Sequence, residues 1–309
     1  MHDGAPRMNG GIGFAIEGPE ARLDFIPSSD LLLTDARLVP MTQSEVEQLG
    51  SFLHYFCSDR HLPTMARIEI SGGIRTHYGM GSGTSLRLAA IEGLALLNGI
   101  ELTQAEIVMA SKRGGTSGVG INTYFEGGLI CDLGRPNEGN DFSPSSTARV
   151  GQRPLTLPKI ALPEWTMLLC IPRTIAAKTH SEEVEFFLRT TPLHGEASFQ
   201  ASYIALFGIY AAAAEADYSA FCRGVNDIQK TTWKQAERSE YGEPLAAICK
   251  ALLNGGADCA GMSSLGPLLF CFAPSTRLDE LEQIAVQHSC DVVRTVPTNR
   301  GRDVQLNHA

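Results

Sequence analysis

Gly79-Met80-Gly81-Ser82-Gly83-Thr84-Ser85 is the stretch from which the rest of the chain can be read. Before it stands Met65-Ala66-Arg67-Ile68-Glu69-Ile70, which alternates polar and apolar residues as a half-buried strand does. After it comes Leu86 to Asn98, a helix-like run closed by Gly99. A Gly-rich turn at a helix start leaves several backbone N–H groups pointing outward, and the helix dipole adds roughly half a positive charge. Together they make an anion site. Glycines let the backbone come close to a phosphate, and Ser82, Thr84 and Ser85 add hydroxyls. The stretch therefore predicts a loop that holds a phosphorylated substrate. The same residues also suit an ordinary turn and N-cap. No Lys follows the last Gly as in a Walker loop, and the spacing is not that of a dinucleotide fingerprint.

Bulk composition narrows the function classes. The chain has 309 residues, enough for two domains or one large one. Apolar residues make up 43% and charged residues 19%, which suits a globular protein with a real core. The net charge of −9 argues against general attraction to nucleic acid or to an anionic membrane. An anionic substrate then has to be captured by local donors. Eight Cys are scattered with no Cys-x-x-Cys, which argues against a zinc site or a disulfide framework and for a reducing cytoplasm. The apolar runs read as too short or too interrupted for a membrane span, and no secretory signal is visible.

Outward from the central stretch, the sequence predicts strands near Ile12–Ile16 and Ala21–Phe25. Thr42-x-x-Glu45 and Thr103-x-x-Glu106 are capping boxes, opening helices to about Arg60 and Ser111. A second Gly-rich segment, Arg113-Gly114-Gly115-Thr116-Ser117-Gly118-Val119-Gly120, leads into Tyr124–Asp132. That run reads as a hairpin turning at Glu126-Gly127-Gly128. Residues 135 to 158, rich in Gly, Pro, Ser and Asn, read as the boundary between domains 1–150 and 151–309. The second half predicts a buried strand over Trp165–Ile171, a polar link from Arg173 to His180, a helix after it carrying Glu182, Glu183 and Glu185, and helices over 196–216, 218–229, 244–253 and 278–288. A third Gly/Ser turn, Gly261-Met262-Ser263-Ser264-Leu265-Gly266-Pro267, precedes a strand over 268–272, and a last strand covers 291–296. Strands and helices mix in both halves, so the fold class is α+β or α/β.

Three Gly/Ser turns in this order resemble the GHMP small-molecule kinase superfamily. The closer resemblance is to its β-ribofuranosylaminobenzene 5′-phosphate synthase branch, which is itself similar to C-nucleoside synthases of formycin- and pyrazofurin-type pathways. Gly10-Gly11-Ile12-Gly13, the three turns, and Phe125-Glu126-Gly127-Gly128 with Asp132 carry it over nearly the whole chain. The resemblance implies an α+β GHMP-kinase-like fold of two domains, the C-terminal one ferredoxin-like, with the site between them. It implies a cytoplasmic phosphoribosyltransferase that joins phosphoribosyl pyrophosphate to an aromatic carboxylate through a C–C bond, releasing pyrophosphate and carbon dioxide. It implies Mg2+ as a cofactor, with no ATP, nicotinamide or flavin, and a homodimer as a possible assembly. Two departures stand out. Many GHMP kinases carry an Asp in the second motif where this chain has Gly120, and losing such a carboxylate costs a kinase on the order of a hundredfold in rate. The synthases usually begin with a strand bearing a basic residue and a Leu-x-Asp motif, and this chain begins too late to hold all of it. An ATP-dependent kinase and a non-catalytic GHMP-like binding protein are the alternatives.

A ribosyl cation-like transition state needs charge neutralisation on the departing pyrophosphate and negative charge or dipoles facing the sugar. The candidate substrate-binding residues are Gly79, Gly81, Ser82, Gly83, Thr84, Ser85, Arg113, Gly114, Gly115, Thr116, Ser117, Gly118, Ser263 and Ser264. Arg113 can fork onto a phosphate or a carboxylate; pairing with a surface carboxylate is its bland alternative. The candidate catalytic residues are Asp132, His180 and Lys178. Asp132 suits an acidic metal or sugar contact, or a strand end that satisfies nearby backbone. His180 suits a base taking a ring proton, and Lys178 and His180 equally suit an exposed link or a helix cap. Metal ligands are not assignable. Lys230, Trp233 and Lys234 suit a pocket wall, with Trp233 in the core as the alternative.

Overall fold

A computed structural model describes residues 6–114, 118–137 and 154–306. The expected boundary at 150/151 and the candidates Gly115, Thr116 and Ser117 lie outside those residues. The fold is α+β. Its first half opens with two short strands, β1 (Arg7–Met8) and β2 (Gly11–Phe14). Strands β3 (Ala21–Ser28), β4 (Leu32–Asp35) and β5 (Met65–Gly72) form a sheet ordered β3-β5-β4, with β3 antiparallel and β4 parallel to β5. Helix α1 (Gln43–Asp59) lies between β4 and β5, and its Thr42/Glu45 capping box forms as predicted. Helices α2 (Ser82–Leu97), α3 (Gln104–Ser111) and α4 (Gly118–Glu126) follow. Leu53 and Phe56 of α1, Ile68 and Ile70 of β5, Leu88, Ile91 and Leu94 of α2, and Ile121 of α4 build one core.

Strand β6 (Leu129–Asp132) pairs antiparallel with β2, and β7 (Arg135–Pro136) with β1. The second half holds a four-stranded antiparallel sheet ordered β11-β8-β10-β9. Its strands are β8 (Met167–Pro172), β9 (Cys259–Met262), β10 (Leu269–Phe272) and β11 (Cys290–Thr295). Every residue of β8 is buried, because both sheet faces are covered and the period-2 alternation sends side chains into two cores. Leu168 and Cys170 meet α10 (Gly242–Asn254) and α11 (Leu278–Gln287). Met167, Leu169 and Ile171 share the other core with α8 (Tyr218–Ile228). Phe14 of β2 reaches that core, with its ring 5.8 Å from Phe272 and 6.4 Å from Phe221. The β2–β6 ribbon thus belongs structurally to both halves.

Four readings of the sequence are corrected. Tyr124–Glu126 is not a hairpin arm but the end of α4, since Ile121, Asn122 and Phe125 are buried on one face at helical spacing. Gly127 and Gly128, at φ +66° and +69°, end that helix before β6. Helix α2 starts at Ser82, one turn earlier than the sequence suggested, so Ser82 to Ser85 are its first turn. The expected helix over 196–216 is a rod over Gly195–Ala214, with a π-helical middle at Ile204–Tyr210 between α6 (Gly195–Tyr203) and α7 (Ala211–Ala214). By length and composition that rod is apolar and long enough to cross a membrane, against the reading that no such run exists, although Ile209, Ala212 and Ala213 sit in the core. The sequence reading had no place for β4, β9 and α9 (Thr232–Ser239). Helix α5 (His180–Thr190) carries a third capping box at Thr179/Glu182.

Candidate active site

The three Gly/Ser turns converge. Ser263 Oγ donates to Gly79 O at 2.7 Å. A Cβ on Gly266 would fall 2.3 Å from the Tyr78 carbonyl carbon, so the third turn packs directly on the first. A Cβ on Gly120 would lie 3.7 Å from Thr84 Cβ, and one on Gly81 3.9 Å from Gly120 Cα. The first turn of α2 and the start of α4 therefore face each other. Gly81 caps α2 in the left-handed region, at φ +67°, with no side-chain cap. The donors at this helix start are thus left to water or to a ligand. Ser82 and Thr84 are buried. Ser85 Oγ is turned back onto Gly81 O and Ser82 O at 3.3 and 3.2 Å.

Asp132 lies at the other side of this junction. A Cβ on Gly118 would sit 1.9 Å from Asp132 Oδ2, so only glycine lets the carboxyl approach the start of α4. Asp132 Oδ1 accepts from Gly134 N at 2.7 Å. The residue is only 5% exposed. Burial pushes its carboxyl up to about 6, against the opposing Gly134 N–H and the charge of Arg7. Arg7 itself donates to Leu133 O and Gly134 O, both at 2.7 Å. Beside it, Asn9 holds φ +63°, and both of its buried amide atoms lack a hydrogen-bond partner.

Arg113 follows α3 and reaches back to α2, with Nη2 3.4 Å from Gly83 O. Burial lowers it to about 10, helped by neighbouring Arg87 and opposed by Glu183, so it stays a cation at neutral pH. Gly114 beside it is buried. Lys178 is not a free cation: its Nζ pairs with Glu240 Oε2 at 3.0 Å. His180 is an exposed first residue of α5, and Ser264 is exposed on the third turn. Lys230 pairs with Asp227 on the surface. Trp233 packs on Phe186 and Phe187, and Lys234 donates to Ser263 O at 2.6 Å.

Sequence reasoning missed a histidine held between two carboxylates at the site. His77, two residues before Gly79 and at φ +64°, has Nε2 2.5 Å from Glu45 Oε1 and Nδ1 3.6 Å from Glu183 Oε1. Glu183 holds the imidazole above its ordinary value, with Glu45 adding and burial opposing. Only the capping pattern of Thr179/Glu182 could have revealed which way Glu183 points. Beside the third turn, a concavity of about 510 Å3 is lined by Ile175, Lys178, Glu182, Glu240, Tyr241 and Pro244. A smaller one of about 220 Å3 lies between Tyr55 and Lys112. Neither contains a residue of the three turns; backbone approaches and hydrogen bonds, which fix atoms directly, locate the site better than either hollow.

Comparison with known proteins fits this junction. Residues 48–126 match the GHMP kinases N terminal domain. The chain is 29% identical over 306 residues to the β-ribofuranosylphenol 5′-phosphate synthase of Archaeoglobus fulgidus, covering 97% of this chain and 93% of that protein. It is 30% identical over 271 residues to the synthase of the same name from Methanothermobacter thermautotrophicus, covering 85% of this chain and 81% of that one. The chain belongs to the β-ribofuranosylphenol 5′-phosphate synthase family. Among solved structures, homoserine kinase from Cytophaga hutchinsonii superposes with a TM-score of 0.68 at 14% identity, covering 94% of this chain and 90% of its own. Mevalonate kinase of L. major gives 0.66 at 16%, covering 95% and 91%. These likenesses give this synthase-family chain the fold of the GHMP kinases.

Proposed function

We propose that this chain is a C-glycoside-forming phosphoribosyltransferase. It joins the anomeric carbon of phosphoribosyl pyrophosphate to the ring carbon of an aromatic acid that bears the carboxylate. The anomeric C–O bond breaks and its electron pair leaves on pyrophosphate. The new C–C bond forms, the ring–carboxylate bond breaks, and its pair restores the ring as carbon dioxide departs. No ring proton is lost in this balance, so the reading gives His180 no role as a base. The observation that carries it is near full-length similarity to synthases named for a ribofuranosylphenol phosphate product. That name favours a 4-hydroxybenzoate-type acceptor over 4-aminobenzoate or a heteroaromatic dicarboxylate, and a methanopterin-type pathway over a C-nucleoside one.

The residues have physical work to do in this reaction. The N–H groups at Gly81–Gly83 face the phosphates, where developing negative charge is stabilised most by preorganised donors. Arg113 adds a buried cation beside them. Asp132 supplies an acidic group at the start of α4, facing the sugar. Among the described residues no group of three His, Cys, Asp or Glu side chains is set to hold a metal. Asp132 would be the protein residue to hold a Mg2+ ion, which would supply charge neutralisation to the phosphates. Eight unpaired, buried Cys suit a reducing cytoplasm. The kinase alternative has the fold but lacks a carboxylate at Gly120, which lies against Thr84. Incubation with labelled phosphoribosyl pyrophosphate separates the readings. Pyrophosphate release that requires the aromatic acid supports a synthase. ATP turnover supports a kinase, and neither activity supports a binding protein.

A further inference from the structure

Glu183 has no part in the reaction as written, yet it faces the anion site. It stands in the first turn of α5 and its Oε1 is 3.6 Å from His77 Nδ1. The other His77 nitrogen is held by Glu45 of α1. Arg113 is within electrostatic reach of the same carboxylate, and its guanidinium touches Gly83 in the first turn of α2. His77, just before the phosphate turn, is thus shared between carboxylates from two other helices. That helix rests lightly on the body, since Phe186 is its one buried residue. The 3.6 Å separation is longer than a tight charge-assisted bond. Arg87 of α2 and Lys178 are the other cations near this cluster, and Tyr241 and Glu240 face it from the far side.

We propose that Glu183 is a built-in occupant of the anion site, a carboxylate that pairs with His77 and is displaced by an incoming diphosphate. The inference rests on the proposed reading of the site as a diphosphate site. A chain of net charge −9 gains from such an arrangement. Arg113 stands beside Gly83 in the same region, and the carboxylate offsets positive charge there until a more highly charged ligand takes its place. Departure of Glu183 removes the contact that joins α5 to His77, so ligand binding is coupled to that helix. A metal ligand or a catalytic acid at this position would behave in the opposite way, because removing its charge would weaken binding or slow the reaction.

The test is calorimetric titration of the full chain with inorganic pyrophosphate, for the parent, Glu183→Gln and Glu185→Gln. Glu185 is exposed on the same helix, so its variant controls for the loss of one negative charge. Glu183→Gln is expected to bind pyrophosphate about tenfold more tightly, from removal of a like charge at a partly exposed site. Glu185→Gln is expected to match the parent. Hydrogen exchange of the amides in His180–Thr190 is expected to quicken when the parent binds pyrophosphate. Unchanged or weaker binding by Glu183→Gln overturns the inference, as does exchange that does not change. If the parent consumes phosphoribosyl pyrophosphate while Glu183→Gln binds pyrophosphate like the parent, only this inference fails. A parent that neither binds pyrophosphate nor consumes phosphoribosyl pyrophosphate overturns the functional reading as well.

Discussion

Asp132→Asn sets stability against function, and its effect has a pH signature. Burial raises the Asp132 carboxyl from 3.8 in the unfolded chain to about 6 in the fold. A carboxyl raised by folding is most compatible with the fold while protonated, so its cost is absent below the unfolded value. The cost grows as pH rises from about 4 to 6 and is complete above that. A difference of this size is worth about 3 kcal/mol. Asparagine is neutral at every pH and keeps an oxygen for Gly134 N–H. Its amide nitrogen takes the place of Oδ2 beside Gly118, a change whose effect does not depend on pH. The stability of Asp132→Asn relative to parent should therefore climb by about 2 kcal/mol between pH 4 and pH 8, whatever its starting offset. Urea unfolding at four or five pH values across that range measures the climb. Turnover of phosphoribosyl pyrophosphate should fall on the order of a hundredfold in the variant, and the parent's rate should show an acid limb near pH 6. A stability difference that stays flat with pH would refute the burial argument. An unchanged rate would remove Asp132 from the chemistry.

Three further outcomes follow from the same geometry. Arg113→Lys should keep the charge but lose the fork, weakening pyrophosphate binding by roughly 1.5–3 kcal/mol in calorimetry, with Arg113→Ala losing more. Gly118→Ala should place a methyl 1.9 Å from Asp132 Oδ2, lowering stability by about 1–3 kcal/mol in urea unfolding and displacing the carboxyl. Arg302→Leu should strip Glu92 of its two-pronged partner, with Arg302 Nη2 2.6 Å from Glu92 Oε1, while Tyr124 still donates to Glu92. The cost in thermal or urea unfolding should be about 2 kcal/mol, below that of a fully buried pair because Arg302 is partly exposed.

The fold was largely legible because its signals are local. Thr42/Glu45 and Thr103/Glu106 announced two helices by side chains that bond three residues away. The unbroken apolar run of β8 announced a strand covered on both faces. The hairpin reading failed at Gly127-Gly128 because paired glycines mark a turn without saying what precedes it. There the choice of helix is tertiary: Arg300 O and Ile160 O pack so closely on these glycines that a Cβ would fall 2.4 and 2.7 Å away. At the site, the three turns were visible as composition, since glycine and serine are required where backbones touch. The charges around them were not. His77 and Glu183 are 106 positions apart, a separation at which no periodicity operates, and Arg7 meets Asp132 only through the pairing of β1 with β7.

The junction also shows how one fold can serve two chemistries. In a kinase the second motif must bring a carboxylate to a hydroxyl. Here that position is Gly120, packed on Thr84, which leaves the space between α2 and α4 uncharged. An acidic group comes instead from the last residue of β6, where the β2–β6 ribbon ends, and it enters only because Gly118 has no side chain. Gly118 and Asp132 must therefore change together: a side chain at the first closes the second out, and a carboxylate at 120 would place a second negative charge close to the phosphate turn. The variant Gly120→Asp should accordingly weaken pyrophosphate binding about tenfold or more without creating ATP-dependent phosphorylation. Calorimetry and an ATP-turnover assay on that variant check both halves. Binding equal to the parent would show that the phosphates do not approach Gly120 at all.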